Sequence, residues 1–200
     1  MEFSLKRTAN VIAILLLAAA ITQAVYTALY LGAPDISRAF LWQIEAVLFV
    51  VMTAFAGSAL AQAKSHHLAW SAIAFAGVLN VVQVGIGLTQ FGPFFEAAGA
   101  VEGVQPAAGA VVAYSFMVYN AAKTLLALAL VVFGMAKLAE GSKLLGGLSA
   151  AVGVVAFLSN AASMALGRDF LGELPLAGGS GVLATVLLAV CLFALPSEEG

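Results

Sequence analysis

The sequence predicts an all-α polytopic membrane protein with six transmembrane helices and both termini in the cytoplasm. Three observations lead there. Hydrophobic residues make up 63% of the chain and charged residues 9%, against roughly 25% charged in a soluble domain. Six apolar runs each approach the ~20 residues that span a bilayer. The basic residues gather on alternate connections. The net charge of −2, with no Lys/Arg cluster, excludes a nucleic-acid partner. A single six-helix membrane domain, 1–200, uses the whole length.

The first run, 9–31, follows Lys6 and Arg7 in "MEFSLKRTANVIAILLLAAAITQA", the layout of a signal peptide. It continues through "VYTALYLG", too long for a cleaved signal, and reads as a retained helix. The second, 39–62, starts near Trp42 and carries Glu45. The third, 68–90, carries Asn80 and Gln83, and the fourth, 109–137, carries Tyr119, Asn120, Lys123 and Thr124. The fifth, 144–167, carries Ser159, Asn160 and Ser163. The sixth, 177–195, holds the single cysteine, Cys191, as a small packing residue. In lipid the backbone must satisfy its own hydrogen bonds, so each run is a helix. The alternation of a membrane β-barrel is absent.

Lys6, Arg7, Lys64, Lys137 and Lys143 fall on one side, Arg38 and Arg168 on the other. The positive-inside rule therefore puts both termini in the cytoplasm. Tyr30, Trp42 and Trp70 fall at span ends, as an aromatic belt would. The outer segment 91–108 is the long connection. Pro93 can open a short helix there. Phe94, Phe95, Val101 and Val104 would then lie on the membrane, with Glu96 and Glu102 toward water, as an interfacial lid. A plain loop is the alternative. The outer turn "GRDFLGELPLAGGSG" is glycine-rich and expected to move. Small residues recur at four-residue spacing at Ala20, Ala24 and Ala28, at Gly57 and Ala61, and at Ser149 and Gly153. That spacing lets helices approach closely, here within the monomer.

The polar residues inside the spans form a layer. A rise of about 1.5 Å per residue puts Gln23, Glu45, Asn80, Gln83 and Asn160 roughly 9–15 Å below the outer surface. Lys123 lies deeper, but its side chain leans toward the helix N-terminus and so toward that layer. Asn80, Gln83 and Gly87 share a helix face; so do Asn160, Ser163 and Gly167, and Gln23, Tyr26 and Tyr30. "NVVQVGIG" and "NAASMALG" repeat one pattern, which hints at a repeated helical hairpin. The candidate ligand-binding residues are Gln23, Tyr26, Glu45, Asn80, Gln83, Tyr119, Asn120, Lys123, Asn160 and Ser163.

A lysine at mid-span costs ~2.5–3.5 kcal/mol on insertion, while each Leu or Phe returns only ~0.3–0.6. The charge must face a partner or water rather than lipid. The simplest partner is Glu45. Three readings remain open: a polar cavity open to the outer face, a Glu–Lys–amide layer that only fixes packing, and catalysis on lipid. For the last, no nucleophile stands beside a base. His66 and His67 lie in a cytoplasmic turn, so a haem or metal site in the spans has no ligands, and no cofactor is expected. The spans contain no aspartate pair for proteolysis. With six helices, Lys123 is badly placed for a retinal Schiff base.

The size, the six helices and the layer near the outer face resemble the substrate-binding subunits of energy-coupling-factor vitamin transporters. Those use small-residue spacing in the first helix, here Ala20, Ala24 and Ala28. The resemblance is architectural and implies a helix–helix partner subunit. "ANVIAILLLAAA", "WQIEAVLFVVMTAFAGSALA" and "GMAKLAEGSKLLGGLSAAVGVVAFL" are similar to small bacterial membrane proteins known only as a domain of unknown function. That resemblance implies six helices and says nothing of an activity; the expected location is a bacterial inner (plasma) membrane. The leading expectation is an outward-facing intramembrane polar cavity, among membrane lipids, that binds or transports a small polar or anionic solute or a lipid headgroup.

Overall fold

The computed structural model describes residues 3–33, 35–167, 170 and 176–196. Arg168 and most of the outer turn after Gly167 lie outside the described residues. Helix α1 spans Leu5–Gly32, α2 Ala39–Gln62 and α3 His67–Ile86. A π-helical turn, Gly87–Phe91, carries α3 into α4, Gly92–Ala100. A single 3-10 turn, Glu102–Val104, leads into α5, Gln105–Ala139. Then come α6, Lys143–Leu166, and α7, Leu176–Phe193. With α3 and α4 counted as one run, six helices among the described residues are long and apolar enough to cross a membrane.

Local chemistry explains the helix ends. The Ser4 hydroxyl accepts the Arg7 N–H at 3.4 Å and caps α1. Pro106 sits in the first turn of α5, where its missing N–H costs no helical bond. Gly167, at φ 95°, ends α6 in a conformation open mainly to glycine. His66 enters α3 at φ 56°, and its carbonyl accepts the Ala69 and Trp70 N–H groups.

Neighbouring helices define the bundle. Helix α1 packs on α2, α2 on α3, α3 on α5, α5 on α7, and α7 returns to α1. Helix α6 packs against both α5 and α7. The core between them is built from residues such as Ile12, Leu16, Phe49, Met52, Leu126 and Leu188. The outward faces are also apolar: Ile21, Val47, Phe75 and Leu158 are each 61–65% exposed. Apolar faces outside and polar side chains inside suit a lipid surround.

The α5/α6 seam brings two backbones close together. A Cβ on Gly146 would lie 2.5 Å from the Leu138 nitrogen and 2.7 Å from the Gly134 oxygen. Only glycine lets those backbones come so close. Ser149 and Gly153 belong to this seam, as their spacing predicts. The other small-residue stripes behave differently. Ala24, Ala28, Gly57 and Ala61 are exposed rather than buried between helices, which corrects that expectation.

One further expectation changes, and one alternative falls away. Trp70 is no belt residue; it is 1% exposed, with its ring edge-to-face on Phe133 at 5.2 Å. Segment 91–108 is not a plain loop but α4, the 3-10 turn and the start of α5. No residue of α4 is buried, and Phe95 and Val101 stand exposed.

At the terminal face, lysines from two helices hold the end of α7. Lys6 Nζ donates to the Phe193 and Leu195 carbonyls at 2.6 Å each. Lys137 Nζ donates to the Ala194 carbonyl and to Glu140, both at 2.7 Å. Cations at a helix C-terminus satisfy orphan carbonyls and oppose the negative end of the dipole.

Candidate functional site

The polar layer is built around Lys123, which is 1% exposed. Its Nζ donates to Gln23 Oε1 on α1 at 2.7 Å and to Thr185 Oγ1 on α7 at 3.1 Å. The Tyr119 ring, one turn earlier on α5, has its centroid 5.4 Å from Nζ, within cation–π range. The lysine leans toward the N-terminal end of α5, as its helix direction predicts.

Glycine makes room for the lysine stem. A Cβ on Gly181 would lie 3.3 Å from Lys123 Cγ and Cδ and 3.4 Å from Asn160 Nδ2. The stem therefore crosses α7 at Gly181, where no side chain stands in its way. One turn on, Thr185 donates its own proton to the Gly181 carbonyl at 2.8 Å. Its lone pairs stay available to Lys123.

Glu45 lies in the same layer at 5% exposure. It does not pair with Lys123: no ion pair forms between them within 4.0 Å. Glu45 Oε1 instead lies 2.6 Å from Thr22 Oγ1. This corrects the expected Glu45–Lys123 bridge. The cause is helix geometry. Thr22 and Gln23 are consecutive on α1, and successive side chains on a helix diverge by about 100°. One serves α2 and the other reaches α5, so α1 keeps acid and base apart.

The amides are held mainly by their own helices. Asn80 Nδ2 donates to the Ala76 carbonyl at 2.9 Å, and Asn160 Nδ2 to Ala156 at 2.8 Å and Ala177 at 3.1 Å. In both residues Oδ1 is buried without a partner. The two positions of the proposed repeat thus share one conformation. They part at the glycine seven residues on, since Gly87 enters a π-helical turn while Gly167 ends α6.

The remaining candidates lie around this centre. Asn120 Nδ2 donates to Phe116 at 2.9 Å, and Gln83 Nε2 reaches Ser115 Oγ at 3.4 Å. Tyr26 is half-buried and belongs to a different group. It stacks on Trp42 at 5.6 Å, with the Arg38 guanidinium 5.3 Å from its ring centre. Ser163 lines a groove of about 530 Å³. Phe95, Val112, Phe116, Met117 and Met164 make most of that groove apolar.

No protein family, curated protein or solved structure matches the chain.

The geometry alone therefore defines the chemistry. The layer offers a buried ammonium, a buried carboxyl and two orphan amide oxygens, all capable of hydrogen bonding. Sequence reasoning missed Thr22, Thr185, Gly181 and Ser115. A usable sign existed for Thr185: it lies nine residues from the start of α7 (185 − 176), as Gln23 lies nine from the end of α1 (32 − 23). Equal depth puts the two in one plane.

Proposed function

We propose that the chain is a multi-pass membrane protein that binds or transports a small polar solute or lipid headgroup in the layer around Lys123. The observation behind this reading is that Lys123 and Glu45 are both buried yet do not neutralise each other. Each is held by uncharged side chains alone: Gln23 and Thr185 for the lysine, Thr22 for the glutamate. Ionisable groups within a membrane span are costly and tend to mark ligand or ion pathways. The orphan oxygens of Asn80 and Asn160 favour a solute that donates hydrogen bonds. The layer lies toward the face opposite the termini. The basic residues on the terminal face support reading it as an outward-facing site in a bacterial inner membrane.

The test is native mass spectrometry of the purified protein with and without Lys123→Met. A small molecule that co-purifies with the wild type and is lost from the variant supports the reading. A wild type that carries nothing, and is not stabilised by any polar solute in a thermal-shift screen, sinks it.

A second reading has its own support. Lys123 is 1% exposed and has two hydrogen-bond acceptors, as a polar layer that only fixes packing in an accessory subunit would require. Identical Lys123→Met and wild-type behaviour in every binding assay, with lower stability in the variant, favours it.

A further inference from the structure

We infer that Glu45 is a proton-binding site and carries its proton in this conformation. A count of hydrogens at Thr22 leads there, whether or not a solute binds.

A threonine hydroxyl has one proton to give and two lone pairs. Thr22 Oγ1 lies 2.9 Å from the Ala19 carbonyl oxygen and 2.6 Å from Glu45 Oε1. Neither a carbonyl nor a carboxylate brings a proton to those contacts. If Thr22 gives its hydrogen to Ala19, the usual back-bond of a helical threonine, the shorter contact needs a hydrogen from Glu45. A protonated carboxyl supplies it. Glu45 donates to Thr22, Thr22 donates to Ala19, and every contact holds one hydrogen.

Thr185 provides the comparison within the same layer. It donates to the Gly181 carbonyl at 2.8 Å and accepts from Lys123 Nζ at 3.1 Å. Both threonines thus back-bond to their own helix and accept from an ionisable neighbour. At Thr185 the donor is an amine that always has hydrogens. At Thr22 the same arrangement requires the acid form.

The surroundings agree. An ionised carboxylate offers about four acceptor sites, yet Glu45 has one hydrogen-bond partner, Thr22. The groups around it supply no cation in contact. On α1 the nearest titratable side chain is Tyr26, which stacks on Trp42. Helix α3 brings the uncharged Asn80 and Gln83. On α5, Tyr119 and Lys123 interact with Glu45 electrostatically, without an ion pair. Opposite charges in a medium of low dielectric attract strongly. A lysine and a glutamate that share a buried layer without pairing are accounted for if the acid is uncharged.

Infrared difference spectroscopy of the protein in lipid nanodiscs at neutral pH tests this directly, with no solute added. We expect a protonated-carboxyl C=O band that shifts down in D2O and disappears in Glu45→Gln. Equal spectra for wild type and Glu45→Gln in that region overturn the inference, because the proton then sits on Thr22 and Glu45 is ionised. If Glu45→Gln fails to fold, Thr22→Val decides. The band should move to higher frequency as the hydrogen bond is lost, and its absence or immobility overturns the inference. A positive band from a protein that also co-purifies nothing and is stabilised by no polar solute keeps the proton site and discards the solute reading, so the two fail separately.

Discussion

Lys123 on α5 reaches Gln23 on α1, with Nζ 2.7 Å from the amide oxygen, although the two residues are 100 positions apart. Helices α1 and α5 are not neighbours in the bundle; α2, α3 and α7 lie between them around the ring. This hydrogen bond therefore crosses the interior and ties the first span to the fourth.

Gln23→Leu is expected to destabilise the protein more than Lys123→Met. Loss of the amide leaves a buried cation short of its nearest acceptor, at about 3–5 kcal/mol. Loss of the lysine leaves only neutral acceptors unfilled, at about 1–3 kcal/mol. The double variant should recover part of the Gln23→Leu loss, while Glu45→Gln and Lys123→Met should add within about 0.5 kcal/mol. Unfolding in detergent, read as two double-mutant cycles, checks both. Strong Glu45–Lys123 coupling with none at Gln23 would contradict the observed contacts.

Gly181→Ala tests how closely the lysine stem is seated. The added methyl would lie 3.3 Å from Lys123 Cγ and Cδ, so the stem must move by a few tenths of an ångström. A loss of about 1 kcal/mol is expected, as for mild overpacking. The same substitution in a Lys123→Ala background should be nearly neutral. Equal losses in both backgrounds would mean that the stem is not what the glycine accommodates.

Adjacent glycines in α6 make a controlled pair. At Gly146 a Cβ meets backbone atoms of α5 at 2.5 and 2.7 Å, whereas at Gly147 the nearest atom is Leu138 Cδ2 at 4.0 Å. Backbone cannot rotate away as a side chain can. Gly146→Ala should lower stability by about 1–3 kcal/mol, and Gly147→Ala should leave it unchanged or raise it through helix propensity. Thermal unfolding of the two variants side by side gives the answer, and equal melting temperatures would refute the close α5/α6 seam.

The lysine clamp on α7 predicts local rather than global effects. Lys6→Gln and Lys137→Gln should each raise amide hydrogen exchange in the last turn of α7, and together more than either alone. Exchange in α2 and α3, which make no contact with that end, should stay at the wild-type level. Uniform acceleration through all spans would instead make the clamp part of the global fold.

Much of the site was legible from the residues, because burying a polar side chain in lipid restricts where it can lie. Gln23, Glu45, Asn80, Asn120, Lys123 and Asn160 are all buried, as their span depths imply. The two threonines were not legible. A helical threonine can satisfy itself on its own backbone, so hydropathy gives no reason to expect Thr22 and Thr185 to hold ionisable neighbours. Tyr26 was grouped by helical spacing, which fixes a direction on α1 but not what lies there; Trp42 and Arg38 occupy that place.

The sequence alone determined the helical class, six runs able to cross a membrane, and the depth of each polar residue, because apolar length and rise per residue are local quantities. Tertiary structure decided the partners. Glu45 and Lys123 lie in one layer, and charge alone would pair them. The approach of α1 put Thr22 against one and Gln23 against the other, and Gly181 opened the path for the lysine stem. Which helix stands between two ionisable side chains depends on packing across the whole bundle, and no spacing along the chain encodes it.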